Sequence, residues 1–203
     1  HCGSGLAMRA KGMGANVVIT EIDPLAALRA VMDGFRVMKM DDAAAIGDIF
    51  CTATGMKDIL VERHFASMKD GAIISNTGHY DCEINIVDLK GLAQSVRTIR
   101  SENEEYTLSD GRKIFLLAEG RLVNLAAAEG HPSEVMDMSF ANQYLALCRL
   151  AAEGKDMDPI VYDITKQQDI DVASTKLDTL GFEIDELTQD QIDYTTDYTS
   201  GTE

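Results

Sequence analysis

The chain has 203 residues, 45% of them hydrophobic, enough to bury one substantial core with an appendage. Acids outnumber bases 34 to 18, for a net charge of −16. So acidic a surface repels phosphate backbones and argues against nucleic acid as a partner. Four scattered cysteines with no Cys-x-x-Cys pair argue against a zinc knuckle, any other metal cluster or a disulfide scaffold, and fit a cytoplasmic protein with reduced thiols. No run approaches the ~18 apolar residues of a membrane span.

In chain order, apolar residues at helical spacing predict a helix over 3–13, and "NVVIT" (16–20) reads as a buried strand. "DPLAALRAVMDG" (23–34) carries an Asp cap, a proline in the first turn and a closing glycine, the marks of a complete helix. "FRVMKM" is a strand, "DDAAAIG" a short helix, and "DIFCTAT" a strand ending at Gly55. "KDILVERHFASMKDG" (57–71) is a helix, and "AIISNTG" another buried strand. "EINIVDLKGLAQ" reads as a helix. The stretch from Ser95 reads as paired strands, with a hairpin turn at "SDG" between "EEYTL" and "RKIFLL". "RLVNLAAAEG", the long "SEVMDMSFANQYLALCRLAAEG", "TKQQDIDVASTKLDTLG" and "TQDQIDY" are helical, and the polar end from Thr195 is loose.

Strand and helix alternating over short links give an α/β fold with a parallel, doubly wound sheet and a helical C-terminal extension. Residues 1–132 form the expected cofactor domain, 133–153 a long connecting helix, and 154–203 an acidic helical segment suited to oligomerisation.

Three clusters carry chemistry. "HCGSG" places Gly3 and Gly5 at the entry to a helix, and Glu21 follows eighteen residues after Gly3, at the end of the next strand. Glycines at a helix start let a pyrophosphate approach free N–H groups, and an acid at that distance accepts hydrogen bonds from a ribose. This is the order of a Rossmann dinucleotide-binding unit whose first strand lies before His1. The acid would repel a 2′-phosphate, which favours NAD over NADP; the residues alone also fit a glycine-rich turn that simply enters a helix. "NTGHYD" (76–81) sets His79 just past a buried strand, where parallel sheets bind ligands, and "TATG" (52–55) ends the preceding strand in the same layer; position alone also allows His79 to be a simple loop residue. "AEGRLVNLAAAEGHPS" (118–133) brings Arg121, Asn124 and His131 among small apolar residues; spacing alone also allows a helix that simply packs on the sheet.

The strings "VVITEIDPLAALRAVMDGFRVMKMD", "MKDGAIISNTGHYDCEI" and "AEGRLVNLAAAEGHPSEVMDMSFANQ" resemble the S-adenosyl-L-homocysteine hydrolase family, from residue 1 to about 150 and more loosely to 194. The resemblance implies a tightly held NAD that is reused in each turnover. It implies oxidation of the substrate's ribose 3′-hydroxyl, elimination of homocysteine, addition of water and reduction back to adenosine. By that likeness Cys2, Gly3, Ser4 and Gly5 would form the phosphate turn and Glu21 the ribose ligand. Thr54, Gly55, Thr77, Gly78, His79 and Asn124 would line the cofactor, and His131 would face both cofactor and adenosine. Leu122, Leu125, Gly130, Met136 and Phe140 would wall the substrate, and His79 would be catalytic. The partners implied are S-adenosylhomocysteine, adenosine and other copies of the chain in a tetramer.

The likeness also marks departures. The family's substrate domain precedes the glycine turn, so the chain reads as the back half of a longer enzyme, inactive by itself. Ala26 stands where many members carry a small polar residue, and the tail holds Tyr194 and Tyr198 but no lysine. The rival reading is a non-catalytic NAD-binding or regulatory relative. A 2-hydroxy-acid dehydrogenase would fit Arg121 and His131 but not the surrounding strings.

Overall fold

A computed structural model describes residues 1–196. The chain forms two compact units, His1–Gly130 and His131–Glu203. The expected loose tail, with Tyr198, lies largely outside the described residues.

The first unit opens with α1 (Cys2–Gly12), β1 (Val18–Ile19), α2 (Pro24–Met32), β2 (Arg36–Val37) and α3 (Met40–Ile46). β1 and β2 pair in parallel, Val18 with Arg36 and Ile19 with Val37. Helix α2 has the ends its sequence marks: the Asp23 side chain accepts from Leu25 N–H at 3.0 Å, and Gly34 closes the helix at φ +76°. Then come β3 (Ile49–Thr52), α4 (Glu62–Ser67), β4 (Ala72–Asn76), α5 (Ile86–Leu92), β5 (Ala93–Arg100), β6 (Asn103–Leu108), β7 (Lys113–Leu117) and α6 (Val123–Ala126). These strands form one sheet in the order β3-β4-β7-β6-β5. β3, β4 and β7 run parallel, and β5 and β6 are antiparallel additions at one edge. In the doubly wound order the opening strand of such a fold lies between strands equivalent to β1 and β3.

The core sits on this sheet. Leu60, Phe65, Ile74, Tyr106, Ile114 and Leu116 are completely buried. The Tyr106 hydroxyl donates to Glu104 at 2.6 Å; burial, then the Glu104 charge, pushes its ionisation well above the usual tyrosine value. His64 ties α4 to α3: its Nδ1 accepts from Val61 N–H at 3.3 Å and its Nε2 lies 3.0 Å from an Asp41 carboxylate oxygen. Edge strand β5 is held to β6 by the Arg97 guanidinium, which meets both Glu105 oxygens at 2.7 and 2.9 Å and keeps that carboxyl below its ordinary range.

Three expected helices are shorter than their sequence patterns. Residues 57–61 stay out of the helix because their backbone is used elsewhere: Asp58 and Ile59 N–H donate to the carbonyls of Cys82 and Glu83, and Leu60 bridges Ile84. The same pairing holds residues 83–85 out of α5, whose start is capped by Asn85 accepting from Asp88 N–H at 3.0 Å. In 121–130 a single turn forms, and Gly130 N–H folds back on the Asn124 carbonyl at 2.8 Å. The hairpin at "SDG" is present as β6–β7.

The second unit holds α7 (Ser133–Glu153), α8 (Lys166–Leu180) and α9 (Gln189–Tyr194). Gln168 and Asp169 of α8 bond to Asn142 of α7, and Lys176 reaches Asp137 at 2.9 Å. Thr165 and Thr188 cap α8 and α9 through the N–H groups of Gln168 and Gln191. No helix of the described residues is long and apolar enough to cross a membrane.

Candidate functional site

Because β3, β4 and β7 are parallel, their carboxyl ends share one rim of the sheet, the rim where open α/β sheets bind ligands. Each strand ends in a polar or strained loop. β4 ends in Asn76, completely buried, whose amide joins all three strand ends. Its Oδ1 accepts from the Thr52 hydroxyl at 3.0 Å and from Gly78 N–H at 2.6 Å. Its Nδ2 donates to the carbonyls of Tyr80 at 2.8 Å, Gly120 at 3.0 Å and Gly78 at 3.4 Å. The turn after β7 is strained: Ala118 and Glu119 hold φ of 55° and 54°, next to Gly120 at 80°. A parallel bridge from Asn76 to Leu122 then lays the "RLVN" segment beside the β4 loop.

The result is a cavity of about 420 Å³ lined by His79, Tyr80, Asp81, Arg121, Leu122, Leu125 and Ala126. Three expected site residues therefore meet, although they come from segments some forty residues apart: His79, Leu122 and Leu125. The His79 imidazole is exposed and meets the Tyr80 ring edge-on, centroids 4.5 Å apart. Arg121 is steered by Glu102 and Glu119. Asn124 is half-buried on α6, and its side-chain amide has no hydrogen bond among the described residues.

The loops differ in what they offer. Thr77 spends both its N–H and its hydroxyl on the Thr52 carbonyl, at 2.8 and 2.9 Å. Thr54 N–H, Thr54 hydroxyl and Gly55 N–H all point into the Glu83 carboxylate. With Gly78 N–H held by Asn76, the donors of Thr54, Gly55, Thr77 and Gly78 are consumed, so these loops can present carbonyls to a ligand. Carbonyls receive hydroxyl and amide donors, not phosphate.

Donors lie elsewhere. "HCGSG", expected as a turn, is the first turn of α1 itself, because His1 already accepts from Gly5 N–H at 3.0 Å. That leaves the N–H groups of Cys2, Gly3 and Ser4 ahead of the first intrahelical bond, where an anion is favoured. The Cβ that Gly3 lacks would lie 3.7 Å from Ala53 Cβ, so this helix start approaches the β3 loop. Glu21 is exposed just past β1; its Oε1 accepts from the N–H groups of Ile22 and Asp23 at 2.7 and 3.1 Å, leaving Oε2 for a ligand. His131, Met136 and Phe140 belong to the second unit, with His131 and Phe140 exposed and Met136 half-buried; Gly130, at φ +78°, ends the first.

Sequence reasoning missed Asn76 and Glu83 as site-building residues. The available signal was a polar residue closing the apolar run "AIIS" and an acid set between Cys82 and Ile84.

A Rossmann-type sheet with an anion-attracting helix start, an acid past the next strand and a cavity at the carboxyl rim defines a dinucleotide-binding domain. Residues 1–130 match the model for "S-adenosyl-L-homocysteine hydrolase, NAD binding domain", and the chain belongs to that family, with NAD as its cofactor. It is 55% identical over 201 residues to S-inosyl-L-homocysteine hydrolase of Methanocaldococcus jannaschii, covering 99% of this chain and 48% of that protein. It is 55% identical to adenosylhomocysteinase of Archaeoglobus fulgidus and 53% identical to that of Thermosynechococcus vestitus, again over 99% of this chain and 49% and 47% of theirs. The chain thus spans about half the length of the curated relatives it matches.

Proposed function

We propose that this chain is the cofactor-holding half of an NAD-dependent hydrolase that converts S-adenosyl-L-homocysteine to adenosine and homocysteine through a 3′-keto intermediate. The observation that carries the reading is the division of hydrogen-bonding labour: N–H groups ahead of the first helical bond at the start of α1, and β3 and β4 loops whose Thr54, Gly55, Thr77 and Gly78 N–H groups are all engaged within the protein, so that acceptors are what they have left. A dinucleotide needs both, donors for its pyrophosphate and acceptors for its ribose hydroxyls and carboxamide.

Cys2, Gly3, Ser4 and Gly5 would hold the pyrophosphate, Glu21 the adenosine ribose, and Thr54, Gly55, Thr77, Gly78, Asn124 and His131 the nicotinamide half. NAD supplies a reversible hydride acceptor when bound. His79 would orient the substrate ribose or relay its hydroxyl proton, since an imidazole changes charge near neutral pH. Leu122, Leu125, Gly130, Met136 and Phe140 would exclude water around the base. We further place the protein in the cytoplasm as a homo-oligomer, tetrameric by family likeness; the exposed Tyr144 and Leu147 of α7 give an apolar face for such contacts. We take residues 1–132 as the cofactor domain, 133–153 as the connecting helix and 154–203 as the assembly segment.

The test is made on the whole protein. Denaturation should release stoichiometric NAD, and S-adenosylhomocysteine should yield adenosine. Glu21→Ala should then weaken NAD binding roughly tenfold, the worth of a charge-assisted hydrogen bond. NAD without adenosine would favour a non-catalytic NAD-binding relative, and adenosine from a protein free of NAD would overturn the reading. One relative's name adds S-inosylhomocysteine as the control substrate.

A further inference from the structure

Among the described residues, Glu83 is the one buried acid at the rim of the sheet that the proposed chemistry leaves unused. It is 1% exposed, in a short turn of 3-10 helix at Asp81–Glu83. A buried carboxylate is costly unless its oxygens are fully hydrogen-bonded. Here they are, entirely from one loop. Thr54 N–H lies 3.1 and 3.0 Å from the two oxygens, the Thr54 hydroxyl donates at 2.9 Å, and Gly55 N–H donates at 2.7 Å. The Thr54 hydroxyl in turn accepts from Met56 N–H at 3.1 Å, closing the loop on itself.

The carboxylate also passes directly beneath the β4 loop. A Cβ on Gly78 would sit 1.7 Å from Glu83 Oε1 and 2.6 Å from its Cδ. The backbone of Glu83 is pinned from a third side, because its carbonyl accepts from Ile59 and Leu60 N–H at 2.8 and 3.1 Å. One rigidly seated acid therefore fixes the height of the Thr54–Gly55 loop and needs the missing side chain at Gly78, the residue next to His79.

We propose that Glu83 is a positioning residue: its carboxylate gathers the donors of the β3 loop so that this loop turns carbonyls to the cofactor, and seats Gly78 so that His79 faces the cavity. The inference rests on the NAD reading above and concerns how the site is held, not what it binds. Glu83→Gln is the direct probe. It keeps the shape, but an amide nitrogen replaces one acceptor and faces donors at Thr54 and Gly55, so the loop must open.

In the whole protein, wild type first establishes NAD retention and adenosine release; failure there sinks the functional reading, not this one. With wild type active, Glu83→Gln should raise the Kd for NAD roughly ten- to hundredfold, the range for losing one or two charge-assisted hydrogen bonds. It should lower kcat while KM for S-adenosylhomocysteine holds. Thr54→Ala, which removes only the hydroxyl arm, should give a smaller effect of the same kind. The double variant should be little worse than Glu83→Gln alone, since both act through one loop. A Glu83→Gln protein with wild-type Kd and kcat but a lower melting temperature would overturn the proposal, as would additive effects in the double variant. Should Glu83→Gln not fold, Thr54→Ala decides: wild-type Kd and kcat in that variant overturn the inference.

Discussion

Replacing His79 with Ala in the whole protein should slow turnover of S-adenosylhomocysteine by about 10²- to 10⁴-fold, the usual contribution of a positioned acid–base group. NAD retention and melting temperature should change little. The asymmetry follows from what His79 touches. Its side chain is exposed at the cavity wall, and its packing partner is the edge of Tyr80. Its backbone is held by others, since the carbonyls on either side of it, Gly78 and Tyr80, both accept from Asn76. Removing the imidazole therefore removes chemistry without removing a strut. His79→Asn should recover part of the rate if the ring mainly orients a hydroxyl, and none of it if the ring carries the proton. Equal losses in turnover and NAD affinity would make His79 a binding residue.

The parts of this molecule that rest on neighbours in sequence were legible in it. The Asp23 cap, the β6–β7 turn and the Thr165 and Gly181 ends of α8 are local events, and each forms where its residues announce it. The parts decided at long range were not. The apolar spacing of residues 57–71 fits a helix, but the backbone of Asp58–Leu60 pairs with that of Cys82–Ile84, and a hydrogen bond spent there cannot also close a helical turn. Nothing local in the sequence marks Glu83 as buried, because its donors lie 28 and 29 residues upstream. Family likeness puts Gly78 on the cofactor side, and the space it leaves is filled from below by that carboxylate. The glycines of "HCGSG" lie inside the first turn of α1 rather than before it. Gly3 N–H comes before the first intrahelical bond and Gly5 N–H makes it, which follows from helix geometry and not from the turn that the glycines suggested.

The other large effect is expected at Asn76, where stability and site assembly depend on one side chain. Its Nδ2 faces three carbonyls, at 2.8, 3.0 and 3.4 Å, in a position with no solvent exposure. Asn76→Asp keeps the oxygen that accepts from Thr52 and Gly78 but sets a second oxygen against those carbonyls. Leaving buried acceptors unpaired beside a charge should cost on the order of 3 kcal/mol or more. That lowers the melting temperature by roughly 6–12 °C at 2–4 °C per kcal/mol. The penalty should depend on pH in a stated direction. Burial and facing carbonyls raise the folded pKa of the new carboxyl above its unfolded value, about 3.9. The variant is then relatively more stable below that value, where a protonated oxygen can donate one bond, and loses stability as pH rises through the folded pKa. Thermal melts of Asn76→Asp and wild type across acid to neutral pH test this: the gap between them should widen toward neutral pH. Because the same amide holds the strained Ala118–Gly120 turn, the variant that still folds should also loosen Arg121 and Leu122 from the cavity wall. A pH-independent gap would mean that water enters the site and solvates the new charge, and that the turn is held by its own backbone bonds.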